Sequence, residues 1–256
     1  MSKRLQAIIF ALCVFSAPAG WAAEVKGALQ WADPVELSTL VSGTVDKVLV
    51  GAGSRVAKGQ VLLRLDDRRF KADLAEAKAN AVKAKDELDE AEKEVQRGQE
   101  LFDRTVLSIH ELQLVKIERA RAEAGYRAAQ AALQQARLNM QYSVVTAPYQ
   151  AVVVRRLAQP GQTVVTHLRA VPLLVVARAD RMVARAAVEL QQIDRLKPGE
   201  AVTVRVGGRD YKGTVAQLGM EPVEATGQPP LYAVEVSFPV AADMLRAGQP
   251  ATLMLP

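Results

Sequence analysis

Cysteine and histidine are almost missing from this chain of 256 residues, which has one cysteine, Cys13, and two histidines, His110 and His167. One thiol cannot close a disulfide within the chain, and two histidines in distant segments do not assemble a zinc site, so no metal residues are assigned. Aromatic residues make up only 5% of the composition, leaving little material for the stacking platforms that hold single-stranded nucleic acid. No apolar run reaches the ~20 residues that span a bilayer as a helix. No glycine-rich loop opens a helix pattern. Gly207-Gly208 lies between two strand patterns and reads as a hairpin turn, not a phosphate cradle. No catalytic residues and no cofactor are assigned, and the reading is of a protein that is not an enzyme.

Lysine and arginine number 33 against 28 acidic residues, for a net charge of +5. That balance could suit a nucleic-acid binder. Here, however, the cations are interspersed with acids along helical patterns and no basic block alternates with aromatics, which describes a solvated rod and no nucleic-acid partner.

The first 23 residues read as an export signal. Lys3 and Arg4 precede an apolar run from Leu5 to Phe15, and small residues from Ser16 to Ala23 suit cleavage after Ala22 or Ala23. Cys13 falls inside that signal, too early and after the wrong residue for a lipoprotein site. The mature chain is therefore expected to carry no thiol.

Two long heptad patterns face each other across a short break. Phe70, Leu74, Ala77, Ala81, Ala84, Leu88, Ala91, Val95 and, past Gly98, Phe102 define the first. Leu112, Val115, Ala122, Tyr126, Ala129, Leu133, Ala136 and Met140 define the second, with Arg119 as its polar interruption. A repeat of about 3.5 residues keeps one apolar stripe against a partner helix. Residues 68–141 are thus expected to form an antiparallel coiled-coil hairpin, its alanines allowing close approach, each arm roughly 50 Å long at about 1.5 Å per residue. Arg119 either snorkels toward Glu87 or Glu94 or meets a neighbouring hairpin.

Short β-branched runs separated by glycine turns flank the hairpin. Residues 24–40 read as a lead-in strand. Val41 to Asp66 reads as a chain of brief strands. A related pattern returns after the hairpin: aligning Gly43 with Ala151 places Val45 on Val153, Leu49 on Leu157, Gly53 on Gly161, Val56 on Val164 and Leu65 on Leu173. Residues 24–67 and 142–176 therefore read as the two halves of one split module. From residue 177 to 256 the expectation is a small β-barrel: strands at 182–188, 201–206, 211–218, 231–238 and 251–255, a short helix at 189–196 and a Pro/Gly loop at 221–230.

The series Gly43-x-Val45-x-x-Val48-x-Val50-x-x-Gly53-x-x-Val56-x-x-Gly59-Gln60-x-Leu62-x-x-Leu65-Asp66, the hairpin, then Ala147-Pro148 and Pro160-Gly161-Gln162, resembles a split lipoyl/biotinyl-type domain. The arrangement is similar to the periplasmic adaptors, or membrane fusion proteins, of the HlyD-like superfamily, and the Lys197-Pro-Gly199 and Leu245-x-x-Gly248 module resembles their β-barrel domain. The resemblance implies an elongated α+β fold: a split lipoyl/biotinyl-like β-sandwich with an inserted antiparallel α-helical coiled-coil hairpin, plus a small β-barrel domain. It further implies a periplasmic adaptor, peripherally associated with the inner membrane of a Gram-negative bacterium, that bridges an RND or ABC-type inner-membrane transporter to a TolC-like outer-membrane channel and self-associates into a ring.

Adaptors of TolC-like channels resemble one another at the tip, with Arg, Leu and Ser at set spacing. Arg97, Leu101 and Ser108 match it, which implies contact with the channel. The alternative is local: Leu101 and Phe102 close the hairpin's own end, Ser108 caps the second helix with Glu111, and Arg97 is solvated. Many pump-linked members also carry a membrane-proximal domain, for which residues 24–40 and the end at Pro256 leave no expected segment. A carrier role is set aside, since the turn that bears the modified lysine in carriers is Asp66-Asp67 here. The second class kept in view is a periplasmic ligand- or metal-binding or regulatory protein that uses the hairpin to oligomerise.

Overall fold

The computed structural model describes residues 23–166, 170–224, 229–240 and 245–256. The export signal at residues 1–22 and His167 lie outside the described residues. The described residues divide into two compact units, one within Trp31–Asp180 and the other made of residues 23–30 together with those of Arg181–Pro256.

β1 (Ala23–Trp31) runs antiparallel to the last strand of the chain, in register from Ala23↔Leu255 to Ala28↔Pro250. This corrects the reading of 24–40 as a lead-in to the split module, because residues 24–30 are barrel. Alternation marks a strand and its inner face, but not which sheet it joins.

Before the hairpin come β2 (Val35–Leu37), β3 (Gly43–Val48), β4 (Arg55–Val56) and β5 (Val61–Leu65). After it come β6 (Val144–Thr146), β7 (Ala151–Arg156), β8 (Thr163–Val164) and β9 (Leu174–Arg178). The sheets are ordered β2-β9-β7-β4 and β6-β5-β3-β8. Replacing each strand of one half by its counterpart turns one order into the other, so the sandwich is an internal two-fold repeat. Its cross-links are reciprocal. Gly53 N–H donates to Val153 O at 2.7 Å and Gly161 N–H to Val45 O at 2.8 Å, while Val45 N–H donates to Gln162 O and Val153 N–H to Ser54 O. Gly53 and Gly161 take φ of 86° and 85°, a region open to glycine without a Cβ penalty.

The alignment shifts past β8. Val45 pairs with Leu65 but Val153 with Val176, so 20 positions in the first half correspond to 23 in the second. Val176, not Leu173, is the counterpart of Leu65. The sandwich also runs to Arg178, which pairs with Ala151, so the barrel resumes later than residue 177.

α1 (Arg68–Asp103) and α2 (Ile109–Tyr142) form the hairpin, inserted between the adjacent strands β5 and β6. Every residue assigned to the seam is buried or half-buried. Phe70 and Met140, at the base, pack into the sandwich core around Val45 and Leu65, and Thr39 Oγ1 donates to Tyr142 O at 2.8 Å. The hairpin is rooted by burial at both ends. Arg119 pairs with Glu92 at 3.5 Å and with Glu123 at 3.1 Å, not with Glu87 or Glu94. The antiparallel register explains the difference: Lys85 lies over the Tyr126 ring and Gly98 under Leu112, which puts Arg119 level with Glu92.

The barrel takes β10 (Arg181–Glu189), the one-turn α3 (Leu190–Ile193), β11 (Ala201–Val206), β12 (Arg209–Glu224), β13 (Leu231–Pro239) and β14 (Pro250–Leu255). It closes in the order β1-β10-β13-β12-β11-β14. Met182, Ala184, Ala186 and Val188 point inward at strict alternation. The expected loop from 221 begins instead as strand. β12 continues to Glu224 through register shifts at Val215/Gln217, Leu218/Pro222 and Pro222/Glu224, and such bulges let a strand carry Pro222.

Candidate functional site

The hairpin tip is built by a break in the heptads. α1 ends at Asp103, and Thr105 takes φ of 62°, an uncommon conformation for a β-branched residue. Its N–H donates to Phe102 O at 2.9 Å, and the Leu101 carbonyl accepts from Val106 N–H at 2.9 Å. These bonds occupy carbonyls that the helix end leaves unpaired.

Ser108 caps α2. Its Oγ accepts the Glu111 N–H at 3.2 Å, and Glu111 Oε2 accepts the Ser108 N–H at 2.9 Å and the Ser108 hydroxyl at 2.7 Å. This is a complete capping box. Those two donors, the hydroxyl first, hold the Glu111 carboxyl below its ordinary range.

Leu101 lies in the last turn of α1, half-buried, and Ser108 is the exposed residue that caps α2. Arg97 stands one turn back on α1, exposed and paired with Glu94 of its own helix. Leu107 and Leu112 fold over Gly98, each with a methyl 3.6 Å from the position a β-carbon would occupy. Both distances are ordinary van der Waals contact, so this position of the seam closes over the backbone of α1 without requiring glycine. Val106 and Ile109 are left out of that closure, 70% and 75% exposed. The tip thus presents two apolar side chains to solvent beside the half-buried Leu101.

At the other end of α1, Asp66 accepts the Arg68 N–H at 3.1 Å and its Nε at 3.0 Å, which lowers the Asp66 carboxyl to about 2. The Asp66-Asp67 turn is an ion-paired helix start. Among the described residues, no group of three or more His, Cys, Asp or Glu could hold a metal ion, and no helix is long and apolar enough to cross a membrane. His110 is exposed at the tip.

Residues 73–143 match the family described as RND MFP, alpha-helical hairpin domain. The hairpin is similar to that of the RND membrane fusion proteins. Two curated relatives extend the likeness. The macrolide export protein MacA of Escherichia coli O157:H7 is 25% identical over 234 residues, covering 85% of this chain and 63% of MacA. The multidrug resistance protein MdtA of Photorhabdus laumondii is 29% identical over 122 residues, 48% of this chain and 30% of MdtA. The chain thus spans less than two thirds of the length of these membrane fusion protein relatives. In fold it is similar to the membrane fusion protein Spr0693 of Streptococcus pneumoniae R6, with a TM-score of 0.72 at 13% identity over 91% of this chain and 98% of that one. That likeness bears on architecture: a helical hairpin inserted in a β-rich body with a six-stranded barrel.

Proposed function

We propose that this chain is the periplasmic adaptor subunit of a tripartite efflux or secretion system. In this reading it bridges an inner-membrane transporter, of RND or ABC type, to a TolC-like outer-membrane channel. Arg97, Leu101 and Ser108 at the hairpin tip contact the channel, and copies of the chain assemble side by side into a ring. It is exported by a cleaved signal, stays peripherally associated with the inner membrane, and does no chemistry of its own.

The observation that carries the reading is the tip. Val106 and Ile109 stand exposed next to Leu101 at the end of a hairpin that is similar to that of the RND membrane fusion proteins and rooted in a sandwich core. A seam that buries its apolar residues along both arms, yet leaves these at its far end, suits a contact made there with another protein. Ser108 serves the cap and the contact together, since its backbone and hydroxyl are held by Glu111 while the residue stays exposed.

In-cell photocrosslinking tests this, with the probe placed in turn at Leu101, at Ser108 and, as a control, mid-arm at Lys85. The expected result is an adduct with an outer-membrane channel from the two tip positions only. Adducts with other copies of the chain alone, from all three positions, would make the hairpin an assembly device and overturn the bridging role. Leu101→Asp is expected to abolish export by a complemented strain while the purified variant keeps its helix content, because a charge would replace an apolar group in a desolvated contact.

A further inference from the structure

Most side chains at the start of α2 are engaged locally. The Ser108 hydroxyl donates to Glu111 Oε2 and accepts the Glu111 N–H, so the cap uses it in both directions. Leu107, just before the cap, and Leu112, at the fourth helical position, both pack at Gly98 of α1. An apolar pair at those two positions fixes the angle at which a chain enters a helix. On α1, Arg97 pairs with Glu94, and Asp103 accepts from Gln99 Nε2 at 3.0 Å. The Val106 and Ile109 side chains take part in none of these arrangements. They stand on either side of Leu107 and Ser108, 70% and 75% exposed.

Both residues are nevertheless held by rigid backbone. Thr105, immediately before Val106, takes φ of 62°, a conformation that β-branched residues rarely adopt. Strain of this kind persists only where neighbouring bonds over-determine it. Here Thr105 N–H donates to Phe102 O and Val106 N–H to Leu101 O, each at 2.9 Å, tying the strained turn to the last turn of α1. Ile109 is the first residue of α2, directly behind the complete capping box. Two aliphatic side chains are thus fixed in place and left to water. Such groups lose little freedom when a partner covers them, which makes them good anchors for binding.

We propose that Val106 and Ile109 carry the contact with the outer-membrane channel, and that Leu101, Ser108 and Glu111 are positioning residues that hold them in place. The inference rests on the bridging role and names the part of the tip that performs it. Neither side chain offers a hydrogen bond, so the surface that fits them is apolar: a recess at the periplasmic end of the channel, lined by aliphatic or aromatic side chains, from which water is displaced. The other end of the hairpin is rooted in the sandwich core through Phe70 and Met140. Copies set side by side meet along their flanks, which leaves residues at the far end of the rod to a partner beyond the ring.

The test is the yield of the channel adduct in cells, with the photocrosslinking probe at His110, which is exposed at the tip and belongs to neither set of residues. Val106→Ser combined with Ile109→Ser should lower that yield, and export by the complemented strain, by about tenfold or more, since anchors of this kind dominate a contact. Val106→Ile combined with Ile109→Val should keep both within about twofold, because the apolar surface is retained. Ser108→Asn should keep them too: asparagine caps a helix as well as serine does, and the serine hydroxyl is engaged with Glu111. The purified double serine variant should unfold at the parent's midpoint, which separates a lost contact from a lost fold. An undiminished adduct in the double serine variant would overturn the inference and leave the bridging role standing. Loss with Ser108→Asn would overturn it by placing the hydroxyl itself at the channel, and a lowered midpoint would overturn it by making Val106 and Ile109 structural. No channel adduct from any tip position of the parent would overturn the bridging role and the inference together.

Discussion

A β-carbon on Gly27 would stand 2.3 Å from the carbonyl oxygen of Arg185 and 2.9 Å from its carbonyl carbon. β1 and β10 approach each other there with no side chain between them, at the junction that closes the barrel. Gly27→Ala should therefore lower barrel stability by about 2 kcal/mol or more, since the clash is with backbone and not with the end of a flexible side chain. Thermal unfolding measures this. An unchanged midpoint would mean that β1 contributes nothing to closure.

Gly98 makes the opposite case. Its missing β-carbon would lie at ordinary contact distance, 3.6 Å, from methyls of Leu107 and Leu112. Gly98→Ala should therefore raise hairpin stability by up to about 1 kcal/mol, the usual gain of alanine over glycine inside a helix. Chemical denaturation followed by helix signal is the measurement, and a clear loss would show that the tip needs a closer approach than these distances indicate.

The cap at Ser108 predicts a pH effect of definite sign. Glu111 has its carboxyl pKa lowered in the folded chain by hydrogen bonds from the Ser108 hydroxyl and then the Ser108 N–H. A lowered folded value gives stability that is present above the ordinary glutamate range and is lost as pH falls through the folded value. Ser108→Ala removes the first cause, so the Glu111 titration should move up toward 4.5 and the acid-side loss of hairpin stability should shrink. It should also cost about 1 kcal/mol at neutral pH through loss of the cap. A titration of the Glu111 carboxyl by NMR that is the same in both chains would contradict the arrangement.

Arg119 sits at a seam position yet keeps its side chain 42% exposed, between Glu92 and Glu123. Pairs so open to water contribute little, and leucine would complete the apolar stripe. The midpoint of Arg119→Leu is expected to be equal to or above that of the parent. If it were lower, the cross-arm pair with Glu92 would be holding the register. Raised stability together with normal export would also exclude a contact from Arg119 to a neighbouring hairpin.

The hairpin was legible in the sequence because a heptad repeat is local: each seam residue is specified by its neighbours three and four positions away, and all of them are buried or half-buried in the structure. The repeat of the sandwich could be read for the same reason as far as Val56 and Val164, where both halves share one spacing. Ser108 with Glu111 was readable too, since a capping box is complete within four residues. Long-range partnership was not written in any such interval. β1 alternates as a strand, but only closure of the barrel decides that it lies against β14 and not on the sandwich. Val176 replaces Leu173 as the counterpart of Leu65 because a sheet register answers to the partner strand, and several apolar residues in that stretch fit equally well by type. Glu92, not Glu87 or Glu94, meets Arg119 because the turn at Thr105 sets the register of the two arms. Local spacing determined the elements of this protein and their buried faces; the tertiary structure decided which element each one meets, since that depends on closure and register between segments far apart in the chain.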